Sequence, residues 1–366
     1  MLFIDLKSQY EAYKAEFDAA IAEVLASVRF VNGPQVTELE RRLAERVGVA
    51  HAVSFSGGTA SLLALMMALD IGPGDEVITT PFTFIASAEV VALVGAKPVF
   101  VDVEPDTLNL DPTKLAAALS PRTRAIMPVN LFGQCADYDA INAVAAKAGV
   151  PVLEDACQSL GSTYRGRASC ALTFAAGVSF FPSKPLGCYG DGGMAFTNDD
   201  AFAGVLRQVR EHGQTGRYQH GRLGFNGRLD TLQAAVLLVK LRHFDAEIAA
   251  RRELAEYYRR NLPPGAQPLV LRPGNESIWA QYTVRVAGRD HVQQVMNASG
   301  VPTAVHYPQP VHRQPVFAAL GLGEGSFPEA EAACREVLSL PMHPFLTREQ
   351  QDRVLAALAE GMAAVG

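Results

Sequence analysis

Residues 150–198 read VPVLEDACQSLGSTYRGRASCALTFAAGVSFFPSKPLGCYGDGGMAFTN. Three short apolar runs stand in this stretch, VPVLEDA (150–156), AAGVSFF (175–181) and MAFTN (194–198), with polar or glycine-rich turns between them. Runs of this length, bounded by turn residues, read as buried strands. The same texture extends upstream to about Ala50, where EVITT (76–80), KPVFVDV (97–103) and RAIMPV (124–129) alternate with helix-like segments such as TASLLALMMALD (59–70) and YDAINAVAAKAG (138–149). Strands alternating with helices predict an α/β sheet, mainly parallel and covered on both faces. Such a sheet receives its ligands at the carboxyl ends of the strands, where the connecting loops begin.

The flanks complete the layout. Residues 9–48 read as two amphipathic helices broken at Asn32-Gly33-Pro34. A long helical stretch from about Leu229 to Arg260 ends at Asn261-Leu262-Pro263-Pro264-Gly265, and the texture then changes to WAQYTVRVAG (279–288), a helix, TAVHYPQP (303–310), and helices near 328–338 and 347–364. The expected organisation is a large α/β domain over 1–244 and a smaller α+β domain over 245–366. A length of 366 residues agrees with two domains at roughly 150 residues each.

Composition excludes several classes. With 49% hydrophobic and 19% charged residues, the chain has ample material for a core. A net charge of -6 and a pI near 5.8 argue against a nucleic-acid partner, whose phosphates call for Lys and Arg. The five cysteines (Cys135, Cys157, Cys170, Cys188, Cys334) include no CxxC pair, which supports neither a disulfide framework nor a zinc site, and no metal is expected. The start MLFIDLKSQYEAYK carries charges where a signal peptide needs an apolar core, and no 18-residue uncharged apolar run occurs. A soluble cytoplasmic protein without membrane contact is the expectation.

Chemistry concentrates in the turns. Lys184 follows a strand run and precedes a proline and the glycine-rich turn Gly187-Cys188-Tyr189-Gly190-Asp191-Gly192-Gly193, which places it in a loop. There its amine can be partly desolvated and serve as a nucleophile toward an aldehyde; a lone lysine in a tight loop reads far more readily as a surface residue, and it is the company of the residues below that favours the nucleophile. Asp155 ends the run VPVLED, where a carboxylate can hold the proton of a pyridinium nitrogen or simply cap a helix. Glu154 faces the other side of the strand. Gln158 can reach a ring oxygen or lie exposed on a turn. Ser56-Gly57-Gly58-Thr59 opens a helix with free amides and small residues, a seat for phosphate or a plain N-cap at Thr59. Ser179 can add a hydroxyl to that phosphate, and Phe84 in PFTFIAS can stack on a planar ring or belong to the core. Rival motifs fail: no GxxxxGK[ST], GxSxG, HExxH or calcium loop occurs, and Gly321-Leu322-Gly323-Glu324-Gly325-Ser326 lacks both the preceding strand and the sixth glycine of a dinucleotide fingerprint.

Taken together, these residues resemble the DegT/StrS nucleotide-sugar aminotransferases. The resemblance runs nearly end to end through GPQVTELERRLA, SGGTASL, GPGDEVITTPFTFIAS, GAKPVFVDVEPDTLNLDP, PRTRAIMPVNLFGQCAD, LEDACQSLGSTYRGR, SFFPSKPLGCYGDGG, GFNGRLDTLQAA, AVHYPQPVHRQP and SLPMHP. It implies the type I (aspartate aminotransferase) fold of pyridoxal-phosphate enzymes, a mainly parallel mixed sheet with a smaller α+β C-terminal domain. By this resemblance Lys184 is the lysine that joins pyridoxal 5'-phosphate, Asp155 the partner of its pyridine nitrogen and Gln158 the neighbour of its ring hydroxyl. Phe84 covers the ring, and Gly58, Thr59 and Ser179 bind the phosphate. Asn226 reaches the phosphate from the other subunit of a homodimer, while Arg228, His306, Tyr307 and His312 fall in segments that line the sugar-nucleotide site. A dehydratase branch carries histidine at the lysine position, and Lys184 excludes it. In SGGT the residue before Gly58-Thr59 departs from most relatives.

The combination of TAVHYPQP, GQCADYDAINA, SFFPSKPLGCYGDGG and SLPMHP is most similar to the subgroup that aminates the 3-keto group of a UDP-2-acetamido-2-deoxy uronic acid for surface polysaccharide, with glutamate as the expected donor. The alternatives are a dTDP- or UDP-4-keto-6-deoxy-sugar aminotransferase and, in a different class, a non-catalytic regulator on the same fold. The intact set of Lys184, Asp155, Gln158 and Ser179 argues against the regulator, because binding alone needs no nucleophile.

Overall fold

The computed structural model describes residues 1–364. Its N-terminal region holds three helices where the sequence predicts two: α1 (Leu6–Ala12) and α2 (Lys14–Ser27) part at Tyr13, and α3 (Pro34–Val47) begins behind the N-cap Gly33. Proline at the first helical position needs no N–H, and Gly48 closes α3 at φ 80°, a left-handed conformation that favours glycine.

The alternating region then runs β1 (His51–Phe55), α4 (Gly58–Ala68), β2 (Glu76–Thr79), α5 (Ala86–Leu93), β3 (Lys97–Phe100), α6 (Pro112–Ala118), β4 (Thr123–Ile126), α7 (Tyr138–Ala148), β5 (Leu153–Asp155), β6 (Ala175–Ser179), β7 (Gly193–Thr197) and α8 (Asp200–Arg210). Parallel pairing joins β3, β2 and β4. Parallel bridges Ile126↔Val152 and Val129↔Asp155 carry the sheet on to β5, which pairs in parallel with β6. The spatial order is therefore β3-β2-β4-β5-β6-β7-β1. Only β7 runs against the others, antiparallel to both β6 and β1, because no crossover helix separates it from β6. All but β7 are shorter than the apolar runs that announce them: β4 ends at Ile126, two residues before Pro128, which has no N–H to give. HAVSF, the β1 strand, does not appear among those runs.

Both faces are covered. On one, Leu62 and Leu65 of α4 and Leu206 of α8 pack on Val53, Phe55 and Ala175. Gly177 in β6 makes room there, since a Cβ would lie 2.7 Å from Leu62 Cδ2. On the other face, Leu39 and Leu43 of α3 and Leu237 and Phe244 of α9 (Thr231–Asn261) pack on Val178, Phe180 and Phe196.

The same α9 reaches a second core. Leu254, Ala255 and Tyr258 pack with β8 (Tyr282–Arg285), α10 (Arg289–Ala298), β9 (Val337–Leu340) and α12 (Arg348–Ala363) through Val284, Val292, Leu338 and Leu358. The helix predicted near 328–338 is α11 (Pro328–Glu336); Val337 and Leu338 instead pair with Arg285 and Val284, giving this core its antiparallel β8–β9 ladder. The N-terminus is tied to this unit, with Phe3 O accepting from the Met342 N–H at 3.3 Å. Among the described residues no helix is long and apolar enough to cross a membrane.

Phe196 is wholly buried between the sheet and α3. Phe196→Ala is expected to cost about 3–5 kcal/mol, read as a lower denaturant midpoint; a loss below about 1 kcal/mol would contradict this packing.

Candidate active site

The carboxyl ends of β1, β5 and β6 open on a cavity of about 690 Å³. At its floor α4 starts at Gly58, behind an extended Gly57 that offers no side-chain cap. The first N–H groups of a helix have no partner inside it, so these point at the cavity with the positive end of the helix dipole. A Cβ on Gly58 would stand 2.6 Å from Ser179 Cβ, and one on Gly193 would stand 2.3 Å from Gly57 O. Only glycine permits this approach. Thr59 is exposed toward the opening, and Ser179 Oγ accepts from the Phe181 N–H at 3.2 Å, leaving its own proton to give.

Asp155 ends β5 and is 4% exposed. Its Oδ1 accepts from the Cys157 N–H at 3.2 Å and its Oδ2 from the Ser87 hydroxyl at 2.6 Å. Glu154 points the other way, as the strand alternation requires, and accepts from the N–H groups of Cys170 and Leu172 at 2.9 and 2.8 Å. Burial nevertheless pushes its carboxyl up to about 7. Gln158 is buried rather than exposed: Oε1 accepts from the Phe132 N–H at 2.8 Å and Nε2 donates to Tyr307 Oη at 3.2 Å.

Lys184 stands in the loop between β6 and β7, its N–H donating to Phe181 O at 2.8 Å. Burial lowers the affinity of its amine for a proton, with Cys157 and Asp155 opposing in part, and no hydrogen bond offsets the desolvation. His306 lines the same cavity, with Nδ1 3.0 Å from Ser339 Oγ. Burial, reinforced by Lys184, pushes the imidazole down to about 4, so it is neutral at pH 7. The Tyr307 ring lies 6.3 Å from that of Phe84, which is 56% exposed and lines the cavity rather than the core.

Three of the named residues lie outside this chain's cavity, and for Asn226, expected to act in the site of a partner subunit, that is no departure. Asn226 is exposed and bridges Glu211 through the backbone, outside this chain's cavity wall. Arg228 donates from Nη1 to Glu211 Oε2 at 2.8 Å, also outside it. His312, expected at the sugar site, is instead 1% exposed, with Nε2 3.2 Å from Glu331 Oε1 and its ring against Phe327 at 4.8 Å. The short turn Val311–Arg313 aims it into an apolar packing site, where the Glu331 carboxylate partners Nε2 and Nδ1 is left buried without a hydrogen-bond partner. Conversely, the cavity wall includes Thr83, Ser87, Cys157, Ser183, Asp191 and Gln281, none of which the sequence singled out. Thr83 and Ser87 flank Phe84 on the segment that leads into α5, and neither carries a signal of its own. Gln281 comes from the C-terminal unit and has no local signal.

These walls suit pyridoxal phosphate: open amides and hydroxyls for its phosphate, a fixed carboxylate for its ring nitrogen, an exposed aromatic face and a desolvated amine. No cluster of His, Cys, Asp or Glu side chains among the described residues is arranged to hold a metal ion.

Comparison with known proteins agrees. The model of the DegT/DnrJ/EryC1/StrS aminotransferase family matches residues 11–359. The UDP-2-acetamido-2-deoxy-3-oxo-D-glucuronate aminotransferase of Pseudomonas aeruginosa is 53% identical over 97% of this chain and 99% of its own length. A pleiotropic regulatory protein of Geobacillus stearothermophilus is 46% identical over 98% and 97%. Among solved structures, a DegT DnrJ EryC1 StrS aminotransferase from Brucella abortus superposes with a TM-score of 0.96 at 41% identity, covering 99% of both chains. The PLP form of the putative sugar aminotransferase Spr1654 from Streptococcus pneumoniae gives 0.91 at 26% identity, covering 96% and 97%.

The low value at His306 has a consequence for stability. Above pH 6.5 neither folded nor unfolded chain protonates this ring; between 6.5 and 4 only the unfolded chain does, so stability falls as pH falls. Urea unfolding of wild type and His306→Gln at pH 7 and 4.5 should show the wild type losing about 2 kcal/mol more than the variant. An equal loss in both would contradict a buried neutral His306.

Proposed function

The chain belongs to the DegT/DnrJ/EryC1/StrS aminotransferase family, and from that premise we propose that it moves the amino group of glutamate to C3 of UDP-2-acetamido-2-deoxy-3-oxo-glucuronate. It is a pyridoxal-phosphate enzyme of the type I fold that transaminates a keto group on a nucleotide-linked sugar. The finer reading takes it as a cytoplasmic homodimer serving surface polysaccharide synthesis, built from two domains that divide within α9 near residue 245. The observation that carries the substrate is the 53% identity, across essentially the whole of both chains, to the Pseudomonas enzyme.

In this reading the amides at the start of α4 and the hydroxyls of Thr59 and Ser179 hold the cofactor's phosphate, with Gly58 allowing the close approach. Phe84 covers the ring, Gln158 stands near its hydroxyl, and Asp155 keeps a proton on its pyridine nitrogen. Pyridoxal phosphate supplies a conjugated ring that delocalises the charge left when the donor carbon loses its proton. Lys184 Nζ, whose hold on a proton burial loosens, takes that proton as base and returns it as acid at the neighbouring carbon. The same groups then run the second half-reaction in reverse, with the keto sugar in place of the donor. Neutral His306 lines the cavity without adding a competing cation beside Lys184.

The two-subunit reading rests on the segment 211–228. It carries the short hairpin Gln214–His220 and two apolar side chains left open in the single chain, Tyr218 at 83% and Leu223 at 86% exposure. A partner covering them would receive Asn226 and Arg228 at its own site. Arg228 spends one N–H on Glu211, and a guanidinium has five to give, so the rest remain for a substrate carboxylate.

A charge-assisted pair with the sugar carboxylate is worth roughly 1.5–3 kcal/mol, which converts to about a ten- to hundredfold preference. The test compares kcat/KM for the 3-keto uronate and its neutral counterpart in wild type and Arg228→Lys. Wild type should prefer the uronate by that factor, and the variant should lose most of the preference. Faster turnover of neutral 4-keto sugars would overturn the substrate, and no amination of any keto sugar would overturn the reaction.

A further inference from the structure

The segment that carries Phe84 also carries two buried hydroxyls, Thr83 (3% exposed) and Ser87 (1% exposed). Ser87 Oγ donates to Asp155 Oδ2 at 2.6 Å, the short distance of a hydrogen bond to an ionised acceptor. A hydroxyl has one proton to give. With that proton on Asp155, the 3.0 Å contact between Thr83 Oγ1 and Ser87 Oγ must run from Thr83 as donor to Ser87 as acceptor. The chain is thus Thr83 O–H to Ser87 O–H to Asp155, every bond pointing toward the carboxylate, and aligned bonds of this kind strengthen one another.

We propose that Ser87, backed by Thr83, is a positioning residue of the transamination: it fixes the plane of the Asp155 carboxylate so that its free lone pairs face the pyridine nitrogen. The proposal rests on the reading of Asp155 as the partner of that nitrogen. The torsion that turns an aspartate carboxylate is broad and roughly two-fold, so the side chain alone does not hold its plane. Two donors from different elements do so here: the Cys157 N–H from the turn after β5 grips Oδ1, and Ser87 from the start of α5 grips Oδ2. Glu154, one residue earlier, takes backbone N–H groups at both its oxygens, which no side-chain substitution removes. For Asp155 one of the two grips is a side chain. The short span from Thr83 to Ser87 therefore sets both the face that covers the cofactor ring and the direction of the group at its nitrogen.

The experiment uses Asp155→Asn, Ser87→Ala and Thr83→Val in the full chain, with kcat and KM for both substrates and the affinity of each apo variant for pyridoxal phosphate followed by absorbance. Asp155→Asn should lose nearly all turnover; wild-type turnover in it would sink the underlying reading of Asp155 and not merely this inference. With Asp155→Asn inactive, Ser87→Ala should lower kcat about ten- to hundredfold and weaken cofactor affinity about tenfold, with both KM values within about twofold of wild type. A kcat and cofactor affinity equal to wild type in Ser87→Ala would overturn the proposal, as would a drop in melting temperature alone. Should Ser87→Ala fail to fold, Thr83→Val decides: a severalfold lower kcat at unchanged KM supports the chain, and wild-type kcat overturns it.

Discussion

The site depends on one close approach, that of the start of α4 to the adjacent ends of β6 and β7. Gly58 lies against Ser179, and Gly193 against the Gly57 backbone, at separations where a Cβ on Gly58 or on Gly193 would collide. In the sheet, Gly193 pairs with Ser179 on one side and with Phe55 on the other, so three strands meet at this point. The loop carrying Lys184 leaves at Ser179 and returns at Gly193. It is therefore a closed excursion pinned at both ends beside the helix N-terminus. The antiparallel β7 strand, the single exception in an otherwise parallel sheet, is what brings the loop back. A parallel strand would have demanded a crossover and carried the lysine away from the start of α4.

Desolvation then assigns protons among the groups this geometry gathers. It lowers the proton affinity of Lys184, brings His306 down to about 4 and raises Glu154 to about 7. The cavity thus holds an amine whose hold on its proton is loosened, beside a neutral imidazole. Asp155 is held by hydrogen bonds to its two oxygens, from Ser87 and from the Cys157 N–H. Adjacent carboxylates on one strand face opposite ways, and that alone gives Asp155 the cavity and Glu154 the interior.

Much of this was legible in the chain. Six of the seven sheet strands announce themselves as apolar runs, and Lys184, Asp155, Gln158, Ser179, Gly58, Thr59, Phe84, His306 and Tyr307 all border one cavity. HAVSF escaped because a short strand with a histidine at its edge and a serine inside leaves no distinct apolar run, although all but His51 are buried. His312 misled because proximity in sequence to His306 and Tyr307 does not fix orientation: two residues past a proline, the chain turns its ring into the core beside Glu331. Thr83, Ser87 and Gln281 gave no signal of their own, since hydroxyls and amides acquire meaning only from the atoms that tertiary packing sets beside them.

The central claim is that one lysine, Lys184, carries the covalent chemistry, and attachment can be read directly. The purified chain is saturated with pyridoxal phosphate, reduced with borohydride and digested, and the modified peptide is identified by mass. The account predicts one adduct per chain, on Lys184, and its disappearance when the amino donor is added before reduction. An adduct mainly on Lys240, the other lysine whose proton affinity burial lowers, or none on Lys184, would contradict it.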